Sequence, residues 1–292
     1  MRKLILPLCI TILSMAQSFA QDVKTKKDVV YIDKEAVANY SGFASAFKGV
    51  ELNFTTLDNK PLFSIKQNYR RQKHPALDNK IWTDLIVSSD SSKISFVMDR
   101  PIFNDRKIIE DLIERTSVAI FDGDFSTLAS IDESEAIIAD SIRAVEFKAS
   151  VSNALKEGHR NREDEELKFK VKTVSPVISK KENSTESFQL VNRIDVYQGG
   201  EFIGWITKEK RLYLAAEKYR YSVYKNLYKE FTIGEETTNQ VLAAQIELPA
   251  PTATIVTFQD FKEHKLRYED EPKSDSSAEQ HLIRWMVKEG YL

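Results

Sequence analysis

Twice along this 292-residue chain, a stretch in which apolar and polar residues alternate gives way to one in which apolar residues recur every three or four positions. Alternation is the period of a half-buried strand, and recurrence at three and four is that of a helix with one face on a core. In the first third, Val29-Val30-Tyr31-Ile32, a polar Asp33-Lys34 turn and residues 35–40 read as a hairpin. Val50, Leu52 and Phe54 continue the alternation, followed by Phe63 and Ile65, by Ile81, Leu85 and Val87, and by Ile94, Phe96 and Met98. Asp58-Asn59-Lys60-Pro61 and residues 88–92 supply turn chemistry between them. The period changes at Ile108, Ile109, Leu112 and Ile113, which predicts a helix from Asp105 with Asn104 as its N-cap.

The last third runs through the same order. Residues 194–198, Gly199-Gly200 and residues 202–206 form the stronger hairpin signal, because two glycines accept the positive φ of a tight turn. Strands are expected through Tyr219, Tyr221 and Val223, through Phe231 and Ile233, along Leu242, Ala244, Ile246 and Leu248, and over 255–258. Leu212, Ala216, Tyr219, Val223 and Leu227 also fit a helix, so that stretch stays open. A closing helix has a Ser276/Glu279 capping box, an apolar face of Leu282, Ile283, Trp285 and Met286, and Gly290 placed for a left-handed C′ residue, with Tyr291 folding back on Met286. Between the two thirds, Ile138, Ile142, Val145 and Ala149 step by four, three and four and predict an amphipathic helix over 133–157, ending at Gly158. Leu167, Phe169 and Val171 alternate as a further strand.

The pattern predicts an α+β fold: two β-rich units, each closed by a helix and related by tandem duplication, joined by a helical connector. The expected boundaries are 21–125, 126–187 and 188–292, after a signal peptide at 1–20. Arg2 and Lys3, the apolar run 4–13 and Ser18-Phe19-Ala20 have the layout of a secretory signal cleaved after Ala20, and the run is too short to span a bilayer. Export to the periplasm or the medium is therefore expected. The chain's single cysteine, Cys9, falls within the signal, so the mature domain has no disulfide, thiolate ligand or cysteine nucleophile and must be held by its core. Removing Arg2 and Lys3 leaves 40 basic residues against 44 acidic, a net of −4. That argues against nucleic acid and against docking on anionic lipid.

Motifs for chemistry are few. The four histidines, His74, His159, His264 and His281, have no ligand spacing, and there is no Gly-x-Ser-x-Gly elbow or phosphate-cradling glycine loop. Asp122, Asp124, Ser126, Ser130 and Glu133 occupy positions 1, 3, 5, 9 and 12 of a twelve-residue calcium loop, but Thr127 stands where the sharp turn demands glycine. The alternative there is an Asp-Gly turn followed by a helix capped by Asp132 or Ser134. No cofactor is expected otherwise. Tyr219, Tyr221 and Tyr224, interleaved with lysine and arginine, and Trp205 are the candidate partner-binding aromatics; they fit sugar or peptide stacking as well as ordinary cross-strand pairs. The acidic run Glu163-Asp164-Glu165-Glu166 reads as a solvated face.

The signal, the cysteine-free mature chain and the Tyr31-Ile32-Asp33-Lys34-Glu35-Ala36 hairpin, followed by further alternating strands and a helix, resemble hypothetical exported proteins of the Bacteroidota. That group implies no activity and no functional residues. Two function classes are carried forward. One is a non-catalytic binding or envelope-structural protein with a protein or glycan partner; the other is an exported hydrolase using Asp/Glu acid–base chemistry. A calcium-stabilised structural protein is a third.

Overall fold

The computed structural model describes residues 22–158, 165–180, 187–212, 217–248, 254–266 and 275–292. The expected signal peptide and Glu163-Asp164 lie outside the described residues. The chain divides into two compact units, 1–70 with 80–135 and 71–79 with 136–292. Each carries its own antiparallel sheet, and the protein is mainly β.

In the first unit seven strands follow one another in sequence order: β1 (Val23–Lys26), β2 (Val29–Ile32), β3 (Glu35–Ser45), β4 (Gly49–Thr55), β5 (Pro61–Arg70), β6 (Lys80–Val87) and β7 (Lys93–Met98). Asp33 and Lys34 both take positive φ, so the β2–β3 connection is a tight two-residue turn without glycine. Val50, Leu52 and Phe54 are buried while Glu51 and Asn53 between them are exposed, as the alternation requires. α1 (Asp105–Arg115) begins where Asn104 accepts a hydrogen bond from the Lys107 amide, and it buries Ile108, Ile109, Leu112 and Ile113 against the sheet. Two 3-10 turns, Val118–Asp122 and Leu128–Ile131, add Ile120, Phe121 and Leu128 to this core. Phe54 stacks on Phe63 at 4.6 Å, and Phe121 meets both rings at 5.8 Å.

In the second unit α2 (Ser134–Glu157) precedes the strands. Its strands are β8 (Leu167–Lys172), β9 (Ile178–Lys180), β10 (Ser187–Gln198), β11 (Glu201–Arg211), β12 (Tyr219–Ile233), β13 (Glu236–Leu248), β14 (Thr254–Thr257) and β15 (Lys262–Lys265), and α3 (Asp275–Lys288) closes the chain. The sheet order is β15-β14-β13-β12-β11-β10-β8, with β9 also on β10. Gly199 and Gly200 both take positive φ at the β10–β11 turn. The stretch that fitted strand or helix is strand: β12 is one continuous element, irregular between Asn226 and Phe231 where two strands were expected. Ala243 is an extra residue opposite the Val223–Tyr224 step, so Leu242 and Ala244 do not keep one parity. β1 and β15 had no clear alternation in the sequence.

The α2 expectation needs correction in one respect. The helix is present, but Ile138, Ile142, Val145 and Ala149 are exposed. Its packed face is Ala144, Phe147, Val151, Ala154 and Leu155, where small residues let the helix lie close to the sheet. Gly158 belongs to that approach, since a Cβ there would fall 2.3 Å from a methyl of Leu227. α3 contributes Leu282, Ile283 and Met286 to the same core. It ends as expected, with Gly290 at φ 73° and the amides of Gly290 and Tyr291 bonded to the carbonyls of Val287 and Met286. The Ser276 side chain lies outside the described residues.

Candidate functional site

The strand register separates the four candidate aromatics. Tyr221 lies opposite Lys208 and Tyr219 opposite Lys210, on the face of the second sheet that packs against α2 and α3. Lys208 is buried there, its ammonium 4.3 Å from the Tyr219 ring centroid and 5.9 Å from that of Tyr221. Trp205 lies opposite Tyr224 on the other, outer face. Their rings stack at 4.7 Å with 6° between planes, Phe202 is parallel to the indole at 6.1 Å, and the Arg193 guanidinium sits 4.5 Å from it. Trp205 is left 7% exposed, so its ring faces serve the sheet itself. Burial pushes the Tyr224 hydroxyl up from its ordinary range.

Around this stack the outer face is charged. Asp195 is buried and bonds Arg193 at 2.8 Å, with Lys172 at 3.4 Å. Arg220 pairs with Glu209 and lies 3.5 Å from the Phe188 ring centroid. At the margin, β8 pairs only with β10, which makes it an edge strand among the described residues. Its Leu167 and Phe169 pack toward the core that holds α3. Lys168, Lys170 and Lys172 therefore point together to the outer face. The lysine alternation was legible in Leu167-Lys168-Phe169-Lys170-Val171-Lys172; that the strand is an edge was not.

The calcium-loop residues are engaged in local structure. Asp122 closes the first 3-10 turn, followed by Gly123 at φ 84°. The amide and hydroxyl of Ser126 hold the Asp124 carboxyl below its usual range, with the amide at 3.0 Å. The Ser130 hydroxyl donates to the Thr127 carbonyl, and Glu133 accepts from the Val97 amide on β7. Asp132 accepts from the amides of Ser95 and Ser134. Among the described residues, no three His, Cys, Asp or Glu side chains gather as metal ligands.

One hydrogen-bonded group resembles hydrolytic machinery. His264 Nε2 lies 3.0 Å from Thr257 Oγ1 and 3.1 Å from Tyr291 Oη, while the two hydroxyls lie 2.6 and 3.2 Å from Asp260. Burial opposes the charge on Asp260, but the Thr257, Lys262 and Tyr291 donors outweigh it and keep the carboxyl below its usual range. The Thr257 and Tyr291 hydroxyls donate to the Asp260 carboxylate, and Thr257 has no exposure. The group ties the C-terminal Tyr291 to the β14–β15 hairpin.

A cavity of about 520 Å³ opens within the second unit between residues 72–78, α2 and the β12–β13 turn. Asp78, Asp140, Glu146 and Glu235 line it with Arg143 and Phe147, and Gln72 forms part of its wall. His74, from the same loop, accepts the Ala76 amide at Nδ1 and packs at 5.0 Å on Phe147 and 4.6 Å on Phe258. At the opposite end of α2, buried Lys225 donates to the Leu155 carbonyl at 3.3 Å, and burial lowers its ammonium to about 8. No sequence pattern links residues so far apart. No family model, no curated protein and no solved structure matches this chain.

Proposed function

We propose that the chain is exported after cleavage behind Ala20 and acts as a non-catalytic binding protein of the cell envelope, adding an acidic extended segment of a partner protein along β8. The observation that carries this reading is the edge strand with Lys168, Lys170 and Lys172 on one face. An added strand would take its main-chain hydrogen bonds from β8 and set Asp or Glu side chains opposite the lysines. Edge lysines also discourage unselected strand pairing, which is consistent with a surface that admits only an acidic partner. The His264 group supports the non-catalytic reading, because its one candidate nucleophile, Thr257, has no exposure.

The test is anisotropy titration of residues 21–292 with acidic and basic extended peptides of equal length, alongside a Lys168→Glu/Lys170→Glu/Lys172→Glu variant. Binding of the acidic peptide alone, lost in the variant while the melting temperature holds, is the expected result. Equal binding of both peptides, or binding indifferent to the three substitutions, overturns it. N-terminal sequencing of the protein from the native envelope should begin at Gln21; an intact N-terminus refutes export by cleavage.

We also read the two units as products of tandem duplication. The first sheet is up-and-down in sequence order; in the second, β10 to β15 follow that order while β8 and β9 both pair β10, and a helix follows the last strand of each, which supports common descent. Superposition of β1–β7 and α1 in order on strands of the second sheet and α3 would strengthen this; failure to align in order would remove it.

A further inference from the structure

A second cavity of the same unit lies beside the edge strand. It has a volume of about 520 Å³ and opens at the Leu167 end of β8, where Leu167 and its cross-strand partner Gln198 meet Arg284, Val287 and Lys288 of α3. Leu167 and Val287 are half-buried and give it an apolar floor. The charged side chains around them are exposed and balance, Glu165 and Glu166 against Arg284 and Lys288. Glu166 reaches Lys168 at 3.7 Å, and the Arg284 guanidinium lies 5.6 Å from the Phe169 ring centroid. A balanced rim gives no net field to draw an ion in, so the apolar floor is what the cavity offers an occupant. The same side of β8 continues as an apolar row, Leu167, Phe169 and Val171, and Val171 is 68% exposed at its far end.

We propose that this cavity receives one large apolar side chain of the strand added along β8. The inference deepens the β8 reading and rests on it. A strand laid against an edge turns alternate side chains to the two faces of the sheet. Those turned outward meet Lys168, Lys170 and Lys172. Those turned inward meet Val171, then Phe169 with Arg284 beside it, and at the Leu167 end the cavity. The partner segment therefore alternates carboxylates with uncharged residues, and a large apolar residue stands at the cavity end of the uncharged row. Main-chain bonds to an edge accept any sequence, so selection falls to the side chains: the lysine row selects charge and the cavity selects one residue. A phenylalanine that leaves water for this floor gains apolar burial that a threonine in its place does not.

The experiment is anisotropy titration of residues 21–292 with four labelled peptides of equal length. The parent peptide alternates glutamate with threonine, and the others carry phenylalanine at the first, middle or last threonine. One of the two peptides with phenylalanine at an end of the row is expected to bind at least about fivefold more tightly than the parent peptide. Val287→Gln should erase that gain and leave the parent peptide's affinity unchanged. Val287 also packs on the core, so a second measurement uses the unaltered protein. Benzoylphenylalanine in place of the favoured phenylalanine should photocross-link to Leu167, Arg284, Val287 or Lys288. Equal affinity of all four peptides, a gain that survives Val287→Gln, or cross-links wholly outside those four residues overturns the cavity inference and leaves the β8 edge standing. Failure of every acidic peptide to bind overturns the β8 reading and this inference with it.

Discussion

In the first unit the buried polar side chains among the described residues are two hydroxyls: Thr83, bonded to the Met98 sulfur, and Ser95, bonded to Asp84. In the second, Asp195, Lys208, Lys225 and Glu279 are buried as charged residues, together with Gln72, His74, Ser187, Gln198, Ser222 and Thr257. Both cores are closed by helices on an antiparallel sheet, so the difference is not one of architecture. Desolvating a charge costs several kcal/mol, and breaking its partnership afterwards costs more than replacing it by a hydrocarbon would have. A core like the first can be optimised for stability alone. A core like the second gives up stability for groups that titrate, and the charged outer face belongs to that unit.

The contrast can be broken or sharpened in four ways, the largest first. Each sheet has one strand crossing that only glycine permits. A Cβ at Gly42, where φ is 120°, would lie 2.1 Å from the Glu51 carbonyl oxygen, and one at Gly204 would lie 2.1 Å from that of Tyr224. Gly42→Ala and Gly204→Ala should each cost more than about 3 kcal/mol, seen as lost hydrogen-exchange protection in the substituted sheet. Retained protection in either would mean that its strands can part without penalty.

The second test is the pH dependence of the second unit. Lys225 titrates at about 8 in the folded protein and near its ordinary 10.5 when unfolded, because burial disfavours the ammonium. Between those values the unfolded chain holds a proton that the folded one does not, so stability rises with pH, by about 3 kcal/mol at most. Denaturant unfolding across pH 8 to 10.5 should show this rise, and Lys225→Met should flatten it. Tyr224 and Tyr291, both raised by burial, oppose it only at the alkaline end. A rise that survives the substitution would assign it elsewhere.

The first unit should respond in the opposite direction. Burial, with the hydrogen bond to Asp105, pushes Tyr40 up to about 12 from 10. Its contribution is complete below pH 10 and is lost as pH rises toward 12. After discounting for partial exposure this amounts to about 1 kcal/mol. Tyr40→Phe should remove the alkaline slope; an unchanged slope refutes the assignment.

The smallest effect is expected at Ile142 on α2, set beside a buried residue of the same helix. Ile142→Glu should change stability by less than about 0.5 kcal/mol, because that side chain is 53% exposed, whereas Val151→Ala, buried to 1%, should cost about 2 kcal/mol by calorimetric melting. The reverse order would restore the face that the sequence periodicity picks out.

That last pair shows where sequence reading stops. Ile138, Ile142, Val145 and Ala149 have the spacing of a buried seam, yet which face of a helix is covered depends on what lies beside it, and the sheet received the face with small residues. In β4 the reading was complete, since one face meets the core and the other meets water, and hydropathy records that distinction directly. In β11 it failed: Trp205 and Lys208 lie on opposite faces and both are buried, because aromatic and guanidinium groups cover the outer face themselves. The sequence by itself determined most strands of the first unit and the β10–β11 hairpin, the turns at Asp33-Lys34 and Gly199-Gly200, the Asn104 cap and the ending of α3, all of which depend on residues within a few positions of each other. Only the tertiary structure decided that β8 is an edge, that Thr257, Asp260, His264 and Tyr291 meet, and that Gln72, Glu146 and Glu235 share a cavity. Those depend on register and packing between elements, which local hydropathy does not record.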